Sequence, residues 1–173
     1  MCRLIRSGIV TLVGKPNTGK SSLINAIFQQ KVVIVSDKPQ TTWHQIRCVY
    51  TDETAQIVFT DTPGLNKPVG PLGKYMTKAV RNALEGVDLI LWLFDCQRGV
   101  TEAERYVYDK IQSVEIPIFA VLNKIDLVRP KKIEKVLEDI GGFGPFAGTF
   151  QISAKNGDGL SGLIEGIRTR LKE

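Results

Sequence analysis

Short apolar runs recur along the chain and alternate with longer stretches whose apolar residues have helical spacing. Five runs predict β-strands, at residues 9–13, 57–60, 89–94, 118–122 and 149–152. Two of them, 89–94 and 118–122, are almost wholly apolar, which is typical of central strands covered on both faces. The intervening stretches predict helices over residues 20–29, 72–85, 101–113, 131–140 and 160–171.

This alternation of strands and helices predicts an α/β fold of three layers around a mostly parallel sheet. A sixth strand-like run, at residues 44–50, is joined to the run at 55–60 through two acidic residues, and the short connection predicts a hairpin. We therefore expect six strands, one of them an antiparallel edge strand. Residues 29–43 and 61–71 have little regular pattern, and long loops in compact domains are usually functional.

Composition changes this picture little. A length of 173 residues suits one domain, and the hydrophobic and charged fractions, 43% and 24%, are ordinary for a globular protein. The net charge of +5 permits attraction to nucleic acid or anionic lipid without requiring it. Three scattered cysteines and one histidine argue against a disulfide framework or a structural zinc site. No apolar run is long enough to predict a membrane span.

A glycine-rich segment joins the first predicted strand to the first predicted helix. It fits the phosphate-loop pattern G-x-x-x-x-G-K-S/T, whose glycines let successive backbone N–H groups point at one anion. The helix start adds its own unpaired N–H groups and its positive dipole end. The alternative is a turn with a chance Lys-Ser pair. The predicted phosphate-binding residues are Gly14, Lys15, Pro16, Asn17, Thr18, Gly19, Lys20, Ser21 and Ser22.

Two further motifs concern the metal and the γ-phosphate. A D-T-P-G sequence follows the strand at 57–60, and its residues are Asp61, Thr62, Pro63 and Gly64. Beside a phosphate loop, the carboxylate can hold Mg²⁺, and glycine lets a backbone N–H approach the γ-phosphate. A threonine pair that ends at Thr42 precedes the hairpin; its hydroxyl could complete the Mg²⁺ shell, or it could simply begin an edge strand. The predicted metal ligands are Ser21, Thr42 and Asp61.

Two motifs at later strand ends concern the base. Asp126 can accept hydrogen bonds from the ring N–H and the amino group of guanine, a pair that adenine does not offer. Asn123 can tie its loop to the phosphate loop, the Lys124 stem can cover a base face, and the Ala154 N–H could meet the guanine carbonyl. Each motif alone could also be a surface turn. The predicted base-binding residues are Asn123, Lys124, Asp126, Ser153, Ala154 and Lys155.

In this order and spacing, GKPNTGKS, PQTT, DTPG, NKID and SAK resemble the five signature elements of translation-factor-class GTPases. The flanking sequences, KPQTT before HQIR and VFTDTPGLNKP, resemble the Era family of ribosome-assembly GTPases, and the resemblance extends over nearly the whole chain. It implies a P-loop GTPase fold and a Mg²⁺-dependent switch that binds GTP and GDP and hydrolyses GTP to GDP and phosphate. The related Der and MnmE families remain alternatives.

The resemblance also implies catalytic roles for Lys20, Thr42, Gly64 and Asn17. In related GTPases with Asn at the position of Asn17, a bound K⁺ ion substitutes for a positive finger, so K⁺ is a second candidate cofactor. The alternative for Asn17 is a turn residue that tolerates left-handed geometry. Ras-type GTPases place a water-orienting Gln where this chain has Leu65, so we expect slow intrinsic turnover.

The Era resemblance implies partners beyond this chain. Era proteins carry a C-terminal KH domain that binds RNA, and this sequence ends where the GTPase domain ends, so we expect residues 1–173 to be a single GTPase domain of a longer protein. By resemblance that protein binds 16S rRNA and acts in small-subunit assembly. It would be cytoplasmic, with peripheral association at the inner face of the membrane. Era proteins usually have Arg where this chain has Trp43.

Two other function classes compete with a GTPase. A P-loop ATPase or small-molecule kinase would need an acceptor site, for which no motif is evident, and Asp126 favours guanine over adenine. A non-catalytic RNA-binding module that merely keeps the fold would not need every signature residue intact. Binding of GDP against ADP, followed by phosphate release from GTP, separates the three.

Overall fold

The computed structural model describes residues 5–30, 45–61 and 84–173. Within these ranges strands and helices alternate, as the hydrophobic pattern predicts. Two short 3₁₀ turns, Ile125–Leu127 and Gly141–Phe143, follow the fifth strand and the third helix. In chain order the elements are β1 (Arg6–Val13), α1 (Lys20–Gln30), β2 (Gln45–Thr51), β3 (Ala55–Asp61), β4 (Leu89–Asp95), α2 (Glu102–Ile111), β5 (Ile118–Asn123), α3 (Pro130–Ile140), β6 (Gly148–Gln151) and α4 (Leu160–Arg170).

The strands of the described residues form one six-stranded sheet in the order β2-β3-β1-β4-β5-β6. The four neighbouring pairs from β3 to β6 are parallel, and β2 runs antiparallel to β3 at the edge. A register shift between Ile46 and Cys48 places a bulge in this edge strand. The predicted fold class, a mostly parallel sheet with one antiparallel edge strand, is confirmed.

The core consists of two apolar layers, one on each face of the sheet. In β4, Leu89, Leu91 and Leu93 belong to the layer beneath α1 and α4, while the alternate residues belong to the layer beneath α2 and α3. Every residue of β4 is buried, and so is all of β5 except its half-buried first residue. These two strands are therefore covered on both faces, as their near-continuous apolar sequence predicts.

Four of the five predicted helices have described counterparts, α1 to α4. The predicted helix at 72–85 lies outside the described residues except for Leu84 and Glu85, which lie in a turn. The irregular segments at 31–43 and 62–71 also lie outside them. None of the described helices has both the length and the apolar character needed to cross a bilayer.

The start of α2 is defined by a capping box, which satisfies N–H groups that a helix start otherwise leaves unpaired. The Thr101 hydroxyl accepts a hydrogen bond from the Ala103 N–H at 3.3 Å. In return, Glu104 Oε2 accepts from the Thr101 N–H at 2.6 Å and from its hydroxyl at 2.8 Å. Glu104 is almost fully buried, so its carboxylate is fixed at the end of the sheet where the strand-end loops lie.

The contact between α4 and the edge of the sheet depends on a glycine. The rings of Phe119 and Phe150 lie 4.9 Å apart between centroids. A Cβ added to Gly166 would lie 2.9 Å from Phe150 Cε1 and 3.5 Å from Phe119 Cε2. Gly162, one turn earlier on the same helix, has no neighbour within 4 Å of an added Cβ. The two glycines thus share a helix but differ in packing.

This difference predicts opposite effects of the same substitution. We expect Gly166→Ala to lower the free energy of unfolding by about 1–3 kcal/mol, because the aromatic rings must shift from their packed positions. Gly162→Ala should raise it by about 0.5 kcal/mol, since alanine is the better helix former and nothing opposes its methyl group. Urea denaturation of both variants checks the signs, and destabilisation by Gly162→Ala would contradict the packing argument.

Candidate functional site

The carboxyl ends of the parallel strands meet at one edge of the sheet, where ligands bind in folds of this class. In the sheet register, Leu12 near the end of β1 is opposite Asp61 at the end of β3. Asp95 at the end of β4 is opposite Asn123 at the end of β5. The described motifs that the sequence singled out are therefore neighbours in the structure.

The loop between β1 and α1 curls through left-handed backbone, as its sequence predicts. Asn17 has φ +66° and Gly19 has φ +98°. At Gly19 the need for glycine is also steric, because an added Cβ would collide with the side-chain amide of Asn123. The loop leads directly into Lys20, the first residue of α1. This is the strand, loop and helix arrangement that a phosphate loop requires.

The Lys20 ammonium lies against the carbonyl groups of this loop. Its Nζ donates to the Gly14 oxygen at 2.7 Å and to the Lys15 oxygen at 3.0 Å. The same Lys15 oxygen accepts a hydrogen bond from the Thr18 hydroxyl at 3.0 Å. Lys20 is thus held at the start of α1, where the helix dipole also favours an anion.

The side chain of Lys15 does not point into the loop with that of Lys20. Its ammonium is directed at the start of α2, where Nζ lies 2.9 Å from Glu104 Oε1 and 3.1 Å from the Gly99 oxygen. Sequence reasoning assigned Lys15 to the phosphate-binding set as a member of the loop. In the structure its backbone belongs to the loop, while its charge is paired with a buried carboxylate.

Asn123 connects three of the strand-end loops. Its side-chain N–H group donates to the Thr18 oxygen in the phosphate loop at 2.9 Å. Its Oδ1 accepts from the Ala154 N–H, in the loop after β6, at 3.0 Å. Asn123 is only 2% exposed, so both hydrogen bonds are shielded from water. The predicted tie between this loop and the phosphate loop is confirmed, and the second contact is one that the sequence did not reveal.

Lys124 lies in the loop that follows β5 and carries Asp126, here called the base loop, and it also connects this loop to the phosphate loop. Its Nζ donates to the Asn17 oxygen at 2.6 Å and to Asp95 Oδ2 at 2.7 Å. Burial alone would raise the pKa of Asp95, but hydrogen bonds from Lys124 and from the N–H groups of Arg98 and Gln97 outweigh it and hold the pKa below its usual value. Asp95 is therefore a carboxylate anchor for the Lys124 ammonium.

Asp126 is exposed and is oriented by the loop after β6. The Ser153 hydroxyl donates to Asp126 Oδ1 at 2.8 Å and accepts from the Asn156 N–H at 3.1 Å. Ser153 itself is fully buried. A carboxylate has about four acceptor positions, so one bond from Ser153 leaves room for two donors from a ligand. The predicted base-reading carboxylate is thus accessible and fixed in orientation.

The other predicted site residues divide into three groups. Pro16, Ser21, Ser22 and Lys155 are exposed at the same edge, with Ser21 and Ser22 in the first turn of α1. Asp61 ends β3, and its backbone alone is described. The predictions for Thr42, Thr62, Pro63 and Gly64, and those that concern Trp43 and Leu65, lie outside the described residues.

Sequence reasoning missed Asp95 and Glu104, the acidic residues that hold the ammonium groups of Lys124 and Lys15. Asp95 ends a wholly apolar strand, which is a recognisable position for a functional carboxylate in a parallel sheet. Glu104 belongs to a T-x-x-E capping box, a pattern that predicts the start of α2. Neither pattern reveals that the carboxylate also pairs with a lysine from another loop.

Residues 9–124 match the family described as 50S ribosome-binding GTPase. GTPase Era from Thermotoga maritima is 44% identical over 170 residues, which make up 98% of this chain and 57% of that protein. A crystal structure of Era in complex with MgGDPNP and nucleotides 1506–1542 of 16S ribosomal RNA has a TM-score of 0.78 at 34% identity. A variant of Aquifex aeolicus Era bound to GDP·AlF₄⁻ has a TM-score of 0.72 at 32% identity.

Both structural alignments cover 98% of this chain and 58% of the other chain. The chain therefore spans little more than half the length of these Era proteins. The family match begins within β1 and ends at Lys124, so it includes the phosphate loop and the start of the base loop. By this match, the chain belongs to the family of 50S ribosome-binding GTPases, as the Era resemblance of its motifs predicts.

Proposed function

We propose that this chain is a Mg²⁺-dependent molecular switch that binds GTP and GDP and hydrolyses GTP to GDP and phosphate. The observation that carries the proposal is the Asn123 bridge. It holds the phosphate loop, through the Thr18 oxygen, next to the loop that carries Asp126. A nucleotide that spans the two loops would have its phosphates at Lys20 and its base at Asp126. The proposed switch would therefore contact the guanine base and the phosphates of one nucleotide at the same time.

Recognition of guanine follows from the acceptor character of Asp126. Guanine presents a ring N–H and an amino group side by side, and both can donate to one carboxylate. Adenine lacks this pair and would leave the carboxylate without its partners on binding. The Ala154 N–H, which we expected to contact the guanine carbonyl, already donates to Asn123, so a bound base would have to share that hydrogen bond.

Hydrolysis would require placement and charge stabilisation more than covalent chemistry from the protein. Lys20 and the loop N–H groups would stabilise charge on the β- and γ-phosphates. Ser21 is exposed in the first turn of α1, and the backbone of Asp61 ends the neighbouring strand, so two residues of types that offer Mg²⁺ hard oxygen donors lie at the same end of the sheet. With Thr42 they are the proposed ligands, and the metal when bound would neutralise phosphate charge.

A K⁺ ion held by Asn17, the second proposed cofactor, would add positive charge beside the β- and γ-phosphates. The φ of +66° satisfies the alternative interpretation, that Asn17 serves as a turn residue. A turn role explains the backbone conformation but gives the side-chain amide no function. The hydrogen bond from Lys124 does not involve that amide, because it is made to the main-chain oxygen of Asn17. An exposed amide at this point of the loop is a suitable oxygen donor for a monovalent cation.

We further propose that the chain acts as the GTPase domain of a longer ribosome-assembly protein. The support is the resemblance to Era, which in one relative binds part of 16S ribosomal RNA. Binding to 16S rRNA through a KH domain, a cytoplasmic location and peripheral membrane association belong to this proposal and rest on resemblance alone.

The proposed activity is tested by phosphate release. We expect the chain to release phosphate from GTP and not from ATP, and to require Mg²⁺. Lys20→Ala should lower the rate by about a hundred-fold or more, because it removes a cation directed at the reacting phosphates. Lys135→Ala is a matched control, since Lys135 is exposed and pairs with Asp139 on α3. Normal turnover in folded Lys20→Ala would refute the phosphate-loop assignment.

The base site is tested by replacing one carboxylate oxygen of Asp126, a hydrogen-bond acceptor, with an amide N–H group, a donor. Asp126→Asn should weaken GDP binding by about a hundred-fold, because two hydrogen bonds to a charged acceptor are worth ~3 kcal/mol. The same variant should bind XDP better than GDP, since xanthine has a carbonyl where guanine has its amino group. Asp158→Asn is the control, because Asp158 is an exposed carboxylate in the loop after β6. A variant that still prefers GDP shows that Asp126 does not read the base.

The cation proposal is tested by replacing Na⁺ with K⁺ during GTP hydrolysis. We expect the rate to rise by about ten-fold or more if a desolvated cation offsets charge in the transition state. Asn17→Gly should abolish the difference between the salts, because glycine keeps the left-handed backbone and removes only the amide. Equal rates in both salts for the unsubstituted chain would count against the ion.

A further inference from the structure

We infer that Lys15 and Glu104 are positioning residues that hold the phosphate loop against the start of α2. The inference rests on the proposed nucleotide binding and goes beyond it, because it assigns the side chains of both residues to holding the loop and not to contact with the nucleotide. Lys15 is the second residue of the loop, whereas Glu104 belongs to a helix that carries none of the five GTPase motifs. Their pairing links the phosphate loop to α2, a contact that the motifs alone do not predict.

The Lys15 ammonium is enclosed by α2 and by the turn before it. Its Nζ lies 2.9 Å from Glu104 Oε1, 3.1 Å from the Gly99 oxygen and 3.4 Å from the Thr101 hydroxyl. The side chains of Lys15 and Glu104 are only 8% and 1% exposed. A buried charge that loses its partner is strongly unfavourable, so neither group can leave the other without cost. The pair therefore fixes the position of Lys15 in the loop.

The backbone of Lys15 transmits this position to the groups proposed to bind phosphate. Its carbonyl oxygen accepts from Lys20 Nζ and from the Thr18 hydroxyl, both at 3.0 Å. Thr18 in turn offers its own carbonyl to Asn123. A shift of the Lys15 main chain would therefore move the acceptor that orients Lys20 and would disturb the bridge to the base loop. Lys15 and Glu104 act through Lys20.

The two oxygens of Glu104 have separate functions. Oε1 faces Lys15, while Oε2 accepts the two capping bonds from Thr101. Glutamine also serves at this position of a capping box. Glu104→Gln should therefore retain the start of α2 and remove only the charge that holds the Lys15 ammonium. This makes it a selective probe of the pair.

A direct role of the Lys15 ammonium at phosphate makes the opposite prediction for this variant. If Lys15 contacted phosphate, Glu104 would compete for the ammonium, and its neutralisation would leave nucleotide affinity unchanged or increase it. If the pair positions the loop, the same change should decrease affinity. The sign of the effect of Glu104→Gln thus distinguishes the two roles.

The experiment measures binding and dissociation of a fluorescent GDP analogue, with urea denaturation of every variant. We expect Lys15→Met and Glu104→Gln each to weaken binding by about ten-fold, mainly through faster dissociation. Lys15→Arg, which keeps a cation able to reach the carboxylate, should bind more tightly than Lys15→Met. The double variant should bind the GDP analogue no more than about two-fold less tightly than the single variant with the lower affinity, because both substitutions remove the same interaction.

Arg168→Met is the control for a general loss of stability. Arg168 forms a partly buried ion pair with Asp52 at the turn between β2 and β3. This turn lies near the amino ends of β1 and β3, whereas the phosphate loop follows the carboxyl end of β1. Loss of the ion pair should lower the urea midpoint and leave the dissociation rate of the GDP analogue unchanged. Equal affinity loss in Arg168→Met and Glu104→Gln would show that stability alone governs binding, and would overturn the inference.

The remaining outcomes are also decisive. Failure of the unsubstituted chain to bind the analogue refutes the proposed function itself, before any variant is compared. Binding by that chain with unchanged or stronger binding by Glu104→Gln refutes only the positioning role. If a single variant fails to fold, the double variant Lys15→Met/Glu104→Gln, which buries no unpaired charge, replaces it. An affinity equal to that of the unsubstituted chain would then overturn the inference.

Discussion

The site depends on one buried amide. Asn123 ends a strand that is covered on both faces, so its Cα position is fixed by the packing of the core. Its side chain then satisfies a backbone carbonyl of the phosphate loop with one end and a backbone N–H of the loop after β6 with the other. Because an unsatisfied polar group at this depth is costly, the three loops hold one another in a single arrangement. A rigid apolar sheet thereby determines the spacing between a phosphate site and a base site.

This arrangement also accounts for the unusual backbone of the site. Asn17 and Lys124 are the two residues other than glycine with positive φ among those described, at +66° and +65°. They are in contact, since Lys124 Nζ donates to the Asn17 oxygen. Such conformations persist where surrounding interactions over-determine them. Here Lys124 is held by the Asp95 carboxylate, and the phosphate loop is held by the Asn123 bridge. That bridge requires glycine at position 19, because an added Cβ would collide with the Asn123 amide.

The hydrophobic pattern was sufficient for most of the described fold, because each element is recognisable from its own residues. The six strands follow from short apolar runs, and the antiparallel edge strand follows from its tight connection to β3. The motifs located the site, since parallel strands bring their carboxyl ends together. The direction of the Lys15 side chain and the partner of the Ala154 N–H were not predictable. Both depend on residues distant in sequence, Glu104 and Asn123, whose approach is a product of the whole fold.

The carboxylates supplied by the segment from the end of β4 to the start of α2 give the site a distinctive distribution of charge. Asp95 holds the Lys124 ammonium, and Glu104 holds that of Lys15. Buried ion pairs of this kind contribute little net stability, because desolvation offsets the Coulombic attraction, so their main effect is to fix position. Lys124 and Lys15 are therefore each committed to a carboxylate, and a phosphate that entered the loop would have to compete with a full negative charge for either ammonium. The charge distribution thus assigns these two lysines to holding the loops of the site in shape.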